Sequence, residues 1–229
     1  MDLRHFLPAA VPAQGPRPLC VPFALTAGHE ARRSSAANLT DALAPEALWW
    51  TCTQRGQTSA MGLLLEHGAA ALTAPGQPFL GDWPYNTSLG SGSEPPPASA
   101  GSVPWLSAGF CEIPVANDGI EERIEDTLAA GVPTVLVLEL TTEFETPNER
   151  GVVAVPDISA PAGDYHAVLA VGAAHDVAGR HFLIRNSWGD WWGLGGYCWL
   201  PVAYLIDFCV QAGQVTVPGL ADEGPRDGG

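Results

Sequence analysis

The chain has 229 residues, of which 46% are hydrophobic, and this apolar content excludes a wholly disordered polypeptide. Acidic side chains outnumber basic ones by 25 to 10, which gives a net charge of -15 and argues against binding to nucleic acid or to an anionic membrane. All ten basic side chains are arginine, and with 26 Gly and 21 Pro this composition favours a GC-rich, bacterial source.

Helix signals dominate the N-terminal half of the sequence, after a Pro-rich arm at 1–13. The apolar spacing predicts helices over 20–33, 41–50 and 60–67, the last capped by Thr58-Ser59 and ended by Gly68. Residues 74–105 are rich in Pro, Gly and Ser, which indicates a long irregular segment.

Strand signals dominate the C-terminal half. An amphipathic pattern predicts one more helix over 118–130, ended by Gly131. Runs of β-branched and aromatic residues predict the following strands: 132–140, 152–155, 165–171, 181–185, 197–200 and 210–217. Helices followed by strands predict an α+β fold with a helical domain over 14–105, a β-rich domain over 106–217 and a flexible tail over 218–229.

The five cysteines and the chain start indicate the cellular compartment. The cysteines are odd in number and widely spaced, at positions 20, 52, 111, 198 and 209, so we expect reduced thiols. The N-terminus shows no signal peptide, and no apolar run reaches the ~20 residues that a membrane helix needs. We therefore expect a cytoplasmic protein. Because no C-x-x-C pair is present, we expect no metal and no other cofactor.

Four residues form a candidate nucleophilic site. Cys20 begins a predicted helix, where the helix dipole and free N–H groups favour a thiolate. His166 lies in an apolar predicted strand and can act as the proton acceptor. The side-chain carbonyl of Asn186 can orient the imidazole, and Gln14 can donate its amide to an oxyanion beside the Cys20 N–H.

These residues and their surroundings resemble the papain family of cysteine peptidases. That family has its His and Asn roughly 130–150 residues after the Cys, and His166 and Asn186 follow Cys20 at a comparable distance. The matching segments, which span about residues 12 to 210, are Gln14-Gly15, Leu63 to Gly68, Trp83-Pro84-Tyr85, His166-Ala167-Val168, Asn186-Ser187-Trp188-Gly189, Trp192-Gly193 and Gly196-Tyr197.

The resemblance implies a fold and a set of roles. It implies a two-lobed molecule, with a helical left domain, an antiparallel β-barrel-like right domain and the active-site cleft between them. The N-terminal arm would pack on the right domain. Trp188 and Ser187 would support the Asn186–His166 pair. The residues that would bind substrate are Gly56, Gln57, Tyr165, Ala167 and Leu19.

The sequence also departs from the family pattern. Pro18-Leu19 precedes the nucleophile where the family has Gly-Ser or Gly-Thr, so Leu19 adds bulk near the substrate. Arg17 stands where secreted relatives often have a disulfide cysteine. Gln57 replaces one of the paired glycines that receive the substrate backbone. Gln14 lies so near the start that we expect no prosegment.

The functional hypothesis is therefore a cysteine peptidase that hydrolyses peptide bonds through a Cys20 thioester. The departures favour a selective intracellular processing enzyme, for example one that cleaves a leader from a precursor peptide. Its partner would be a peptide or protein substrate, with no nucleic acid and no membrane. Two alternatives remain open: an acyltransferase, cyclase or amidase with the same Cys-His-Asn chemistry, and a catalytically silent papain-fold binding module.

Overall fold

The computed structural model describes residues 1–115, 119–157, 163–176 and 179–217. Its helices are α1 Cys20–Ala37, α2 Pro45–Gln54, α3 Leu65–Thr73, α4 Ile120–Ala129, α5 Thr142–Glu145 and α6 Val202–Phe208. Its strands are β1 Gly109–Ile113, β2 Thr134–Glu139, β3 Tyr165–Asp176, β4 Gly179–Arg185, β5 Tyr197–Pro201 and β6 Cys209–Thr216. The predicted tail at 218–229 lies outside the described residues.

Helix α1 is the central element of the helical half. It is buried on most of its surface, with α2 and α3 on one side and the sheet on the other. Leu25 of α1 shares a core with Leu48 and Leu72 of the neighbouring helices and with Val135 and Val215 of the sheet. The helix ends at Asn38, whose left-handed conformation is typical of a helix C-terminus.

Helices α2 and α3 begin later than the sequence predicts. Helix α2 begins at Pro45 rather than at 41, because Leu43 forms a bridge with Phe79 and Pro45 suits a first helical turn. Helix α3 begins at Leu65 rather than at 60, because a turn that pairs Ser59 with Gly62 occupies that segment.

Gly68 is inside α3 and does not end it. A Cβ at position 68 would lie 2.7 Å from Leu25 Cδ1 and 2.9 Å from Val21 Cγ1. This glycine therefore allows α3 to pack closely against α1, which is a role that the sequence signal for a helix end does not distinguish.

The six strands form one antiparallel sheet in the order β1-β6-β2-β3-β4-β5. Alternate residues of the central strands face opposite sides. Ala167, Leu169 and Val171 of β3 face α1, whereas Val168 and Ala170 face a second core that includes α4 and α6. The sequence did not reveal β1, α5 or α6, and the strand predicted at 152–155 is only a bridge between Val152 and Trp199.

The first thirteen residues run along the sheet. The N–H of Leu3 donates to the Val171 carbonyl, and Asp2 and Ala13 form bridges with Gly172 and Trp188. The guanidinium of Arg185 donates to the carbonyls of two arm residues, Pro8 and Ala10. These contacts fix the approach of the chain to Gln14.

The irregular segment between α3 and β1 packs through tryptophans. Trp83 is fully buried, and its ring lies 6.1 Å from that of Trp50 and 5.8 Å from that of Trp105. The segment contains two short 3₁₀ turns, Thr87–Leu89 and Ala98–Ala100. Within the described ranges, no helix has the length and apolarity to cross a membrane.

Two glycines between β4 and β5 provide a matched test of how closely the backbone packs in that connection. Gly193 and Gly195 both have positive φ, 54° and 64°. A Cβ at 193 would overlap the Tyr197 carbonyl oxygen, whereas a Cβ at 195 would meet nothing within 4 Å. We expect Gly195→Ala to cost about 1 kcal/mol of unfolding free energy and Gly193→Ala about 3 kcal/mol, measured by urea denaturation. Equal costs would contradict the close approach.

Candidate active site

Cys20 is the first residue of α1 and faces β3. The backbone N–H groups of Ala167, Val21 and Cys20 itself lie near its partly buried thiol. Burial raises the pKa of this thiol, although the three N–H groups act in the opposite direction. The N–H groups at the helix start therefore act in the direction that the sequence predicts, and desolvation opposes them.

The imidazole of His166 is fixed by one hydrogen bond and two aromatic rings. Nε2 lies 2.7 Å from Oδ1 of Asn186, so Nδ1 is the nitrogen left for proton exchange with the thiol. The ring centroid lies 4.6 Å from that of Trp188 and 6.0 Å from that of Phe144. Burial lowers the pKa of His166 to about 4, and the bond to Asn186 only partly offsets this.

Asn186 is oriented by the chain around it. Its Oδ1 also accepts the Ser187 N–H at 2.8 Å, and its own N–H donates to the Gly196 carbonyl. Trp188, two residues further along the chain, covers the imidazole, and its ring contacts Phe144 and Trp192 as well. Phe144, on the short helix α5, is a site residue that sequence reasoning missed, because nothing in the local pattern connects it to His166.

The Gln14 side chain is held at both ends. Its Nε2 donates to the Arg17 carbonyl at 2.8 Å, and its Oε1 accepts from Ser187 Oγ at 2.6 Å. The Gln14 backbone N–H donates to the Ser187 carbonyl, so Ser187 connects Gln14 to Asn186. One amide hydrogen of Nε2 stays available, because the Arg17 carbonyl takes only one of the two.

A cavity of about 650 Å³ opens beside Cys20. It includes four of the five predicted substrate residues: Gly56, Gln57, Tyr165 and Ala167. The fifth, Leu19, is wrong as a cleft residue. It is fully buried in a cluster with Phe23 and Trp49, because the residue before α1 turns its side chain into the helical half.

The cavity is mostly apolar, and sequence reasoning found only part of its wall. The additional apolar residues that line it are Val21, Met61, Leu63, Leu64, Leu65, Val137 and Val210. Met61 and Leu64 are 78% and 58% exposed, which is unusual for large apolar side chains. They follow a turn that the sequence predicts as helix, and this error concealed their role.

Gly62 is the glycine that lies beside the residues just before Cys20, which form the nucleophile segment. It lines the cavity with φ of 119°, and a Cβ there would lie 3.3 Å from the Pro18 carbonyl oxygen. Gly56 and Gln57, in contrast, already donate their N–H groups to Thr53 and Cys52 carbonyls. Those two N–H groups are therefore not free to bind a substrate backbone.

The other four cysteines differ from Cys20 in position. All five thiols are free. Burial raises the pKa of Cys52 to about 11 and that of Cys209 to about 12, and it also raises that of Cys198. Cys111 is exposed on β1. Within the residues that the structure describes, no group of His, Cys, Asp or Glu is arranged to hold a metal ion.

The comparisons with known proteins agree with this geometry. The sequence profile of the papain family cysteine proteases matches residues 98–214, just over half of the chain. An uncharacterized peptidase C1-like protein of Acanthamoeba polyphaga mimivirus is 32% identical over 137 residues, 56% of this chain and 42% of that protein. Cathepsin K of Mus musculus is 32% identical over 92 residues, 40% of this chain and 27% of that protein. The chain thus spans less than half the length of these relatives.

Solved structures share the fold over nearly the whole chain. Xylellain, a cysteine protease from Xylella fastidiosa, aligns with a TM-score of 0.74 at 22% identity, covering 94% of this chain and 85% of that one. The bromelain protease from Ananas comosus, solved with the E64 inhibitor, aligns with a TM-score of 0.71 at 17% identity, covering 95% and 98%. The chain belongs to the papain family of cysteine proteases, and the predicted α+β papain-like fold is confirmed.

The neutral state of His166 can be tested by stability against pH. An unfolded histidine takes up a proton near pH 6.5, but folded His166 does so only near pH 4, so protonation favours unfolding between these values. From pH 7 to pH 5, wild type should lose about 2 kcal/mol more unfolding free energy than His166→Gln, by urea denaturation. His29, which also titrates near pH 4, is present in both proteins and cancels.

The opposite result has a definite meaning. If His166→Gln loses as much stability as wild type, or more, then the imidazole is already protonated and paired with a Cys20 thiolate in the unliganded protein.

Proposed function

We propose that this protein is a cysteine peptidase that hydrolyses peptide bonds with Cys20 as nucleophile and His166 as general base and acid. The observation that carries the proposal is the meeting of α1 and β3. The thiol at the start of α1 lies near the N–H of Ala167, and His166, the preceding residue of the chain, is oriented by Asn186. Family membership supports the same reaction.

The reaction would begin with proton transfer from the thiol to His166 Nδ1 as sulfur attacks the scissile carbonyl. Because Asn186 accepts the Nε2–H, it stabilises the imidazolium without adding a second anion. The oxyanion would receive the free amide hydrogen of Gln14 and the Cys20 N–H. His166 then protonates the leaving amine and activates the water that hydrolyses the thioester.

The proposed substrate range is narrow, as in a processing peptidase. Three features support this: the apolar cavity wall, the N–H groups of Gly56 and Gln57 that are already bonded, and the bulky Gln57 at the cavity. The apolar wall favours a substrate with a large apolar side chain near the cleaved bond. Five free thiols support a reducing, cytoplasmic location.

The nucleophile can be tested by substitution. Cys20→Ala should lower kcat by about 10⁴-fold or more, because no other group supplies the thioester. Cys111→Ala is the matched control, since that thiol is exposed on β1, and its activity should stay within about twofold of wild type. Product mass identifies the reaction, because hydrolysis adds one water to the cleaved bond. Residual turnover by Cys20→Ala, or a product without added water, would contradict the proposal.

The apolar wall can be tested at Leu64. Leu64→Asp should lower kcat/KM for substrates with an apolar side chain by about tenfold and raise it for basic ones. The change should not destabilise the fold, because position 64 precedes α3, where Asp is favourable. Leu39→Asp is the control, since Leu39 is similarly exposed but lies outside the cavity. Equal effects of the two substitutions would remove Leu64 from the substrate site.

A further inference from the structure

We propose that the buried Arg17–Glu46 ion pair is a positioning device that holds Gln14 in place for the oxyanion. This inference rests on the proposed peptidase function. Arg17 lies three residues before Cys20, and Glu46 lies in the first turn of α2. Both side chains have 0% exposure, so solvent does not contribute to their pairing.

Every N–H donor of the Arg17 guanidinium has a partner. Nη1 and Nη2 bind the two carboxylate oxygens of Glu46 side by side. The three remaining donors bind backbone carbonyls of one segment: Nε to Gly90 at 2.9 Å, Nη1 to Asn86 at 3.0 Å and Nη2 to Gly92 at 2.9 Å. A planar guanidinium is the one side chain with five donors in a fixed geometry, so lysine cannot reproduce this set.

The same residue contacts Gln14 through its backbone. The Arg17 carbonyl accepts the Gln14 Nε2–H at 2.8 Å and the Leu19 N–H at 2.9 Å. The guanidinium lies 4.9 Å above the ring of Tyr85, whose hydroxyl donates to the Gln14 carbonyl at 2.7 Å. Arg17 therefore determines where the Gln14 amide points by two separate routes.

Stability alone does not account for this arrangement. A buried ion pair is weak evidence for stability, because apolar residues of similar volume often serve as well. A guanidinium in one fixed position is needed to bind the three backbone carbonyls and to keep the contacts to Gln14. The role of Arg17 is therefore to position these groups. A displacement of about 1 Å in a catalytic donor is enough to lower the rate strongly.

The test measures oxyanion binding and thiol reactivity separately. A peptide aldehyde forms a reversible hemithioacetal with Cys20, in which the thiol adds to the carbonyl and its proton ends on the new oxygen or on His166. Its affinity depends on the oxyanion donors. Alkylation by iodoacetamide needs the Cys20 thiolate but forms no oxyanion. Arg17→Lys should weaken aldehyde binding and lower kcat by about tenfold, with KM and the alkylation rate within about twofold of wild type.

The matched control is Arg180→Lys. Arg180 also binds a glutamate through two nitrogens, at 3.1 and 2.7 Å to Glu125, but on the surface and away from Gln14. Arg180→Lys should leave aldehyde affinity, kcat, KM and the alkylation rate within about twofold of wild type. Glu46→Gln provides a second variant of the buried pair that keeps its shape, and it should act in the same direction as Arg17→Lys, so the result does not depend on one variant folding.

A double-mutant cycle tests whether Arg17 acts through Gln14. In a Gln14→Ala background, Arg17→Lys should have no further effect on aldehyde affinity, because the group that it positions is gone. An undiminished effect in that background, or behaviour equal to Arg180→Lys, would overturn the positioning role while leaving the peptidase proposal intact. Failure of wild type itself to bind the aldehyde would overturn both.

Discussion

The approach of the Ala167 N–H to the Cys20 thiol joins the start of α1 to the start of β3. This contact requires α1 to lie across the sheet, which the shared core of Leu25, Val135 and Val215 achieves. It also determines where His166 lies, because successive residues of a strand face opposite sides. Ala167 faces α1, so the imidazole is turned toward Phe144 and Trp188 and receives their protection from water.

This burial explains why the electrostatics differ from what a helix terminus alone suggests. The N–H groups at the start of α1 do lower the pKa of Cys20, but removal of the thiol from water has the larger effect. The same loss of water lowers the pKa of His166 to about 4.

The sequence predicted the candidate catalytic residues from more specific signals than it did the wall of the cavity. Gln14, Cys20, His166 and Asn186 could be found because chemistry restricts each position to one residue type. Gly62 and Leu64 could not be placed at the cavity, because their positions depend on where the chain turns between α2 and α3. The Ser59–Gly62 turn has no strong local signal, and a helix over 60–67 satisfied the same apolar spacing. The opposing effect of burial on the pKa of Cys20 was missed for a similar reason, since burial is a tertiary property.

Arg17 restrains the chain segment before Cys20 without a disulfide bond. A disulfide at this position would depend on an oxidising compartment. Arg17 instead connects the nucleophile segment to α2 and to residues 86–92 by hydrogen bonds alone. These bonds are unaffected by thiol reductants, and with five free cysteines the protein has no covalent cross-link to lose. These hydrogen bonds also fix orientation, because a guanidinium held in place orients each carbonyl group that it binds. A disulfide, in contrast, restrains only the distance between two Cα atoms.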